Sequence, residues 1–348
     1  MHLFHNDYNE MCHPNVLAHM QQISALQMDG YGEDVCCRNA AEKIRTLCGR
    51  ENVSVHFLVG GTQTNLTGIT ASLRPHQAVI GAHSAHIQVH ETGAIEATGH
   101  KVLSLPSDDG KISAQQIRNC VQEHWDDVTH EHITQPKMVY ISQPTEFGTI
   151  YTLKELQEIS AVCKARGLYL FIDGARLGYG LTAADNDATL NDIAELADVF
   201  YIGGTKCGTM FGEAVVITNP AIKEDFRYII KQRGGMLAKG WLLGAQFEAL
   251  LENDLLFDIC SHANRMADKL RDTLTQCGYP ISVANRTNQV FTVLPNALLR
   301  ELEKNFSYAP WGAVDDLHSQ VRFCTSWATK EAALDALCEE VLKYSSNS

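Results

Sequence analysis

The sequence predicts an α/β protein in which a mostly parallel mixed sheet is flanked by helices and followed by a smaller α+β domain. Three observations carry this. Short runs of strand-forming residues recur through the middle of the chain, segments with helical spacing separate most of them, and the pattern changes near residue 221. Strands alternating with helices build a parallel sheet covered on both faces. At 348 residues the chain exceeds one ordinary core, so a second, smaller unit is expected.

The elements follow in order. Residues 1–17, opening MHLFHNDYNEMCHP, are taken as an N-terminal arm; with no basic start followed by an apolar core, no export signal is expected. The large domain is placed at 18–245. Its strands are VHFLVG (55–60), QAVIGA (77–82), MVYIS (138–142), LYLFID (168–173), VFYIGG (199–204) and AVVIT (214–218). Its helices include 66–73, 153–167 and 190–197. From 221 the chain turns helical, with one broken or two long helices from Trp241 onward. The small domain is placed at 246–348. In it QVFTVL (289–294) and VRFCTSW (321–327) flank one helix and precede another, and Ser345–Ser348 reads as a frayed tail.

Composition narrows the partners. Lys+Arg of 28 against Asp+Glu of 41 gives a net charge of −13, which disfavours nucleic acid and anionic membranes and leaves a small metabolite. No apolar run approaches the roughly 20 residues that cross a bilayer. The 11 cysteines include no C-x-x-C pair and suit reduced thiols in a cytoplasmic enzyme.

Charged residues then cluster where strands end. Asp173 closes LYLFID, with Arg176 three residues on, and Lys206 follows VFYIGG. Parallel strands point their carboxyl ends at one rim, where ligands bind. A third strand there runs through Gly60-Gly61 into Thr62, Gln63, Thr64 and Asn65 before a helix, an anion cradle of backbone N–H groups and hydroxyls. The stretch is neither G-x-x-x-x-G-K-[ST] nor G-x-G-x-x-G. An isolated Asp and Lys would be a structural ion pair, but with a phosphate site they match pyridoxal phosphate. That cofactor needs an amine, a carboxylate for its ring nitrogen and an anchor for its phosphate. His83, His86 and His90 are spaced to share one helical face that could hold zinc, although solvated or core histidines are the simpler reading; no metal is assigned.

These residues resemble the threonine aldolase branch of the β-eliminating lyase family, pyridoxal-phosphate enzymes of the aspartate-aminotransferase fold (fold type I). The likeness runs from FHNDYNEMCHP through YGED (31–34), GGTQTNL (60–66), the histidines at 83–91, DGARLG (173–178), GGTKCG (203–208) and KQRGGMLAKG (231–240) to VRFCTSW. The resemblance implies that Lys206 holds the cofactor as a Schiff base, Asp173 pairs with its ring nitrogen, Gly61 and Thr62 bind its phosphate, and His86 stacks on its ring. Arg176 and Arg322 would take the substrate carboxylate, with Asn6 and Tyr31 beside the substrate, Tyr31 near a neighbouring subunit's cofactor. Arg233 and Lys239 are assigned to a phosphate or subunit contact. Where the family carries a histidine after the MVYIS strand, this chain has Glu146; either it or His86, directly or through water, is the candidate base for the hydroxyl proton.

The reaction implied is cleavage of an L-threonine-type β-hydroxy-α-amino acid to glycine and an aldehyde, by a homodimer or homotetramer. β-Elimination, transamination and racemisation share the same groups and are the alternative. A zinc hydrolase, or a binding module that kept the fold and lost the chemistry, is a more distant one.

Overall fold

A computed structural model describes residues 1–347; Ser348 lies outside the described residues. The main sheet has seven strands: β1 (Ser54–Leu58), β2 (Gln77–Ala82), β3 (Val102–Leu105), β4 (Gln135–Ser142), β5 (Tyr169–Asp173), β6 (Val199–Gly203) and β7 (Glu213–Ile217). They lie side by side in the order β1-β7-β6-β5-β4-β2-β3. Only β7 runs antiparallel to its neighbours, so the sheet is mixed but mostly parallel. Strands β2, β6 and β7 are buried at every position, as helices on both faces require.

The crossover helices begin and end where their chemistry directs. In Leu153–Arg166, Thr152 and Glu155 form a reciprocal capping box, and Gly167 closes the helix in the left-handed region at φ 65°. Capping boxes also open Ala114–Asp126 and Leu190–Leu196. The long helical stretch is two helices, Trp241–Leu250 and Leu255–Gln276, parted where Asn253 and Asp254 take φ of 49° and 58°.

Toward the C-terminus a separate antiparallel sheet forms from β8 (Gln289–Pro295), β9 (Ala309–Ala313) and β10 (His318–Cys324), in the order β9-β10-β8. The apolar core divides inside Leu255–Gln276: Ala263 packs with the main sheet, whereas Met266 packs with the small one. The N-terminal arm joins the second cluster through Phe4, and His2–Leu3 pairs with Phe306–Ser307. The expected frayed tail is instead helical through the last described residue, in Glu331–Asn347, whose Leu334, Leu337 and Val341 are buried.

Two glycines permit the close packing at the rim. A Cβ on Gly203 would lie 2.2 Å from the Ala175 carbonyl oxygen, and one on Gly174 would lie 1.7 Å from that of Tyr201. Neither obstacle is a side chain that can swing away. Gly203→Ala is therefore expected to cost about 3 kcal/mol or more, read as a lower denaturation midpoint or loss of soluble protein. A native midpoint would show that the rim can absorb a methyl group.

Candidate active site

The carboxyl ends of the parallel strands and the amino end of β7 meet around a cavity of about 560 Å³. Its wall includes Gly60, Gly61, Thr62, His86, Glu146, Asp173, Arg176, Lys206, Glu213 and Arg322. That volume suits a cofactor together with a small substrate.

Asp173 is buried at the end of β5. Its Oδ1 accepts from Ala175 N–H at 3.0 Å, while Oδ2 accepts from Asn65 Nδ2 at 3.3 Å and from the Tyr140 hydroxyl. Burial and the Asp173 charge hold the Tyr140 hydroxyl well above its usual range, so it remains a donor. Three donors thus hold this one carboxyl group in place.

Lys206 sits three residues beyond β6, and its Nζ makes no hydrogen bond or ion pair among the described residues. Burial, reinforced by the charge of Arg176, holds its ammonium below the usual lysine range, which favours a nucleophilic amine. Opposite, the helix Gly61–Ser72 begins directly after Gly60, with no side chain capping its free N–H groups and open space where a Cβ on Gly60 would stand. An unpartnered amine, a carboxylate held by donors and a bare helix start are the donor set that pyridoxal phosphate requires, so the residues present fit that group.

The expected loop of hydroxyls at 62–65 is the first turn of this helix. Only Thr62 of the four lines the cavity. Gln63 accepts from Val59 N–H and donates to the Arg233 carbonyl, and Asn65 is buried against Asp173 and Glu91.

The single helical face expected for His83, His86 and His90 does not form. The helix is one turn, His86–Val89, and His83 precedes it, exposed, accepting from Ser107 N–H. Glu91 holds His86 instead, with Nδ1 and Oε1 2.8 Å apart. Glu146 Oε1 accepts from the backbone N–H of His86 at 2.9 Å and from Ser142 at 2.8 Å. Burial, then the charge of Asp173, raises the Glu146 carboxyl above its ordinary range.

The two arginines are anchored by groups the sequence did not single out. Arg176 lays one edge on buried Asp7, with Nε to Oδ2 at 2.7 Å and Nη2 to Oδ1 at 2.9 Å. Burial alone would raise the Asp7 carboxyl, but the charges of Arg176 and Lys206 outweigh it and hold it at about 2. Arg322, on β10, donates to Gln289 and to the His5 carbonyl and lies over the Trp311 ring.

Glu213, at the start of β7, faces the same cavity. It accepts from Gly204 N–H at 3.0 Å, and burial pushes its carboxyl up to about 8. In sequence, a glutamate opening a strand after a glycine looks like an ordinary turn charge. Asp7 carried a signal, since it sits inside the quoted FHNDYNEMCHP.

Four expected residues lie off this wall. Asn6 accepts from Tyr8 N–H, and Tyr8 is the arm residue that reaches the cavity. Tyr31 and Lys239 are exposed elsewhere, Tyr31 with Lys231 5.0 Å over its ring. Half-buried Arg233 leaves its Nε without a partner.

Fold and site define an enzyme of the pyridoxal-phosphate class built on the aspartate-aminotransferase fold. A Thermus thermophilus aspartate aminotransferase superposes with a TM-score of 0.72 over 98% of this chain and 91% of that one, at 16% identity, a likeness of fold alone. The chain belongs to the β-eliminating lyase family, whose pattern matches residues 13–297. It is 31% identical to a low-specificity L-threonine aldolase from a Pseudomonas species, over 97% of this chain and 95% of that one. A Leishmania major threonine aldolase structure is 46% identical, with a TM-score of 0.97 over 99% of this chain and 100% of that one.

Proposed function

We propose that this cavity cleaves the Cα–Cβ bond of β-hydroxy-α-amino acids of the L-threonine and L-allo-threonine type, releasing glycine and an aldehyde. The observation that carries it is the meeting of Lys206, Asp173, the bare start of Gly61–Ser72 and Glu146 around one cavity, in a chain whose full-length relatives are threonine aldolases.

When bound, pyridoxal phosphate supplies a sink for the electron pair released as Cα–Cβ breaks. Lys206 would be the amine that holds it, Asp173 would face its ring nitrogen, Gly61 and Thr62 would take its phosphate, and His86, steadied by Glu91, would support its ring. Arg322 and the edge of Arg176 turned away from Asp7 take the substrate carboxylate, which fixes the torsion about Cα. Glu146 removes the β-hydroxyl proton; the freed O–H pair becomes the aldehyde C=O bond as Cα–Cβ breaks, and glycine's Cα is reprotonated.

Tyr31, Arg233 and Lys239 complete the site of a second copy, in a homodimer or homotetramer; what supports this is that Tyr31 and Lys239 are exposed away from their own cavity. Asn6 is retained beside the substrate through its link to Tyr8. Residues 18–245 are taken as the cofactor-binding domain, and the enzyme as cytoplasmic. No helix among the described residues is long and apolar enough to cross a membrane, and the cysteines are free thiols.

The deciding assay incubates the purified enzyme and cofactor with L-threonine. Glycine and acetaldehyde in equal amounts are expected; ammonia with a keto acid, or a changed stereocentre alone, would move the assignment to elimination, transamination or racemisation. Glu146 predicts a pH signature. A base works only when ionised, so cleavage falls as pH drops through the raised Glu146 range. Glu146→Gln is expected to lose about 10²-fold in kcat together with that acid limb. An acid limb that persists in the variant would transfer the base to another group, with His86 first.

A further inference from the structure

Away from the catalytic cavity, three helices bring together side chains that no part of the aldolase reaction uses. His19 comes from Pro14–Ile23, Cys36 from Val35–Cys48 and Glu248 from Trp241–Leu250. One ligand atom of each lies within 4.8 Å of the other two. We infer that His19, Cys36 and Glu248 form a zinc site, a Cys/His/Glu clamp whose fourth position is filled by water.

The donor set suits this ion: imidazole, thiolate and carboxylate are the three side chains that bind zinc, and a calcium or magnesium site would be built from oxygens. The spacing suits it as well. Zinc bonds of about 2.0–2.3 Å place neighbouring ligand atoms of a tetrahedron roughly 3.3–3.7 Å apart. His19 Nε2 lies 3.2 Å from Glu248 Oε2, and the three ligand atoms all lie within 4.8 Å of one another, close enough for small side-chain shifts to reach that spacing.

Surrounding contacts aim the carboxylate. Asn39 Nδ2 donates to Glu248 Oε1 at 2.7 Å, so Oε2 is left turned toward His19. Such outer hydrogen bonds are how ligating carboxylates are held. Cys36 is buried on the protein side, whereas the His19 and Glu248 side chains are 25% and 17% exposed, which leaves a path from solvent. Binding forms a Zn–S bond and releases the Cys36 thiol proton to water.

The clamp has a structural consequence. The helix carrying His19 follows His13, whose backbone N–H donates to the Gly208 carbonyl at 2.8 Å, beside the Lys206 turn. Fixing that helix to its two neighbours also fixes the end of the arm that carries Asp7. Sequence spacing could not show this, because His19 and Glu248 stand 229 residues apart.

The test uses the cofactor-loaded enzyme, stripped with a chelator, titrated with zinc by calorimetry and with cadmium by its ultraviolet sulfur-to-metal absorption. The expected result is one ion per chain, bound with a dissociation constant on the order of micromolar or tighter, and a cadmium–thiolate band. Cys36→Ser and His19→Gln should each weaken zinc at least about tenfold while retaining aldol cleavage, since neither touches the cavity; Cys120→Ser should bind as the native enzyme does. His19→Gln changes a partly exposed side chain and keeps the test valid if the buried Cys36→Ser fails to fold. Absence of saturable binding, or binding unchanged in His19→Gln, would overturn the site and leave a plain His–Glu pair beside a buried thiol.

Discussion

Lys206→Ala is expected to lower aldol cleavage by on the order of 10⁴-fold or more, the scale on which covalent nucleophiles act, while the protein melts close to the native temperature. Both halves follow from its surroundings. Among the described residues its Nζ has no hydrogen bond or ion pair to lose, and burial already disfavours its charge, so removing it relieves desolvation and breaks no such bond. Added cofactor should also fail to give the visible absorption of a protein-bound Schiff base. Lys154→Ala is the control: exposed and with no part in the site, it should leave that band in place. Full cleavage by Lys206→Ala would remove this lysine from the centre of the mechanism.

Asp7→Ala carries the largest expected loss of stability. It would strip Arg176 of its bidentate partner and Asn288 of an acceptor, leaving a buried guanidinium unpaired, a change that costs about 3–5 kcal/mol. Thermal or denaturant unfolding should show it, and KM for the amino acid should rise because Arg176 is no longer aimed. The pH dependence follows from the depressed carboxyl. Asp7 is held at about 2, below the unfolded value of about 3.9, so its contribution is complete above that unfolded value and is lost as pH falls toward 2. Asp7→Asn should keep the shape and lose this part of the acid sensitivity. An unfolding midpoint and KM equal to native in Asp7→Ala would show that Arg176 finds another partner.

Five of the seven strands are legible because strands buried on both faces must be nearly continuous Val, Ile, Leu and Phe; a sixth, β1, is only partly buried and is legible from its Val, Phe and Leu alone. The seventh, β3, is only four residues long and Ser104 interrupts VLSL, so it is too short and mixed to announce a strand. Strand β9, APWGA, holds a proline and a glycine and reads as a turn until β10 pairs with it. In the site, Lys206 and Asp173 were legible because strand ends converge in any parallel sheet. Glu213 was not, because its place at the rim depends on β7 running backwards, a direction that AVVIT does not reveal. The histidines misled because helical spacing was assumed beyond the one turn that exists.

The arm that carries Asp7 has a consequence for the order in which the molecule is made. Phe4 bonds to Ser307 across 303 residues, and the His5 carbonyl meets Arg322 across 317. The arm therefore cannot settle until residues more than 300 positions further along have been made, and closing so large a loop is entropically costly before any contact rewards it. The main sheet can form while the arm is still free. In a refolding experiment its burial signal should accordingly precede the docking of the arm, and the catalytic site should be among the last features of the chain to assemble.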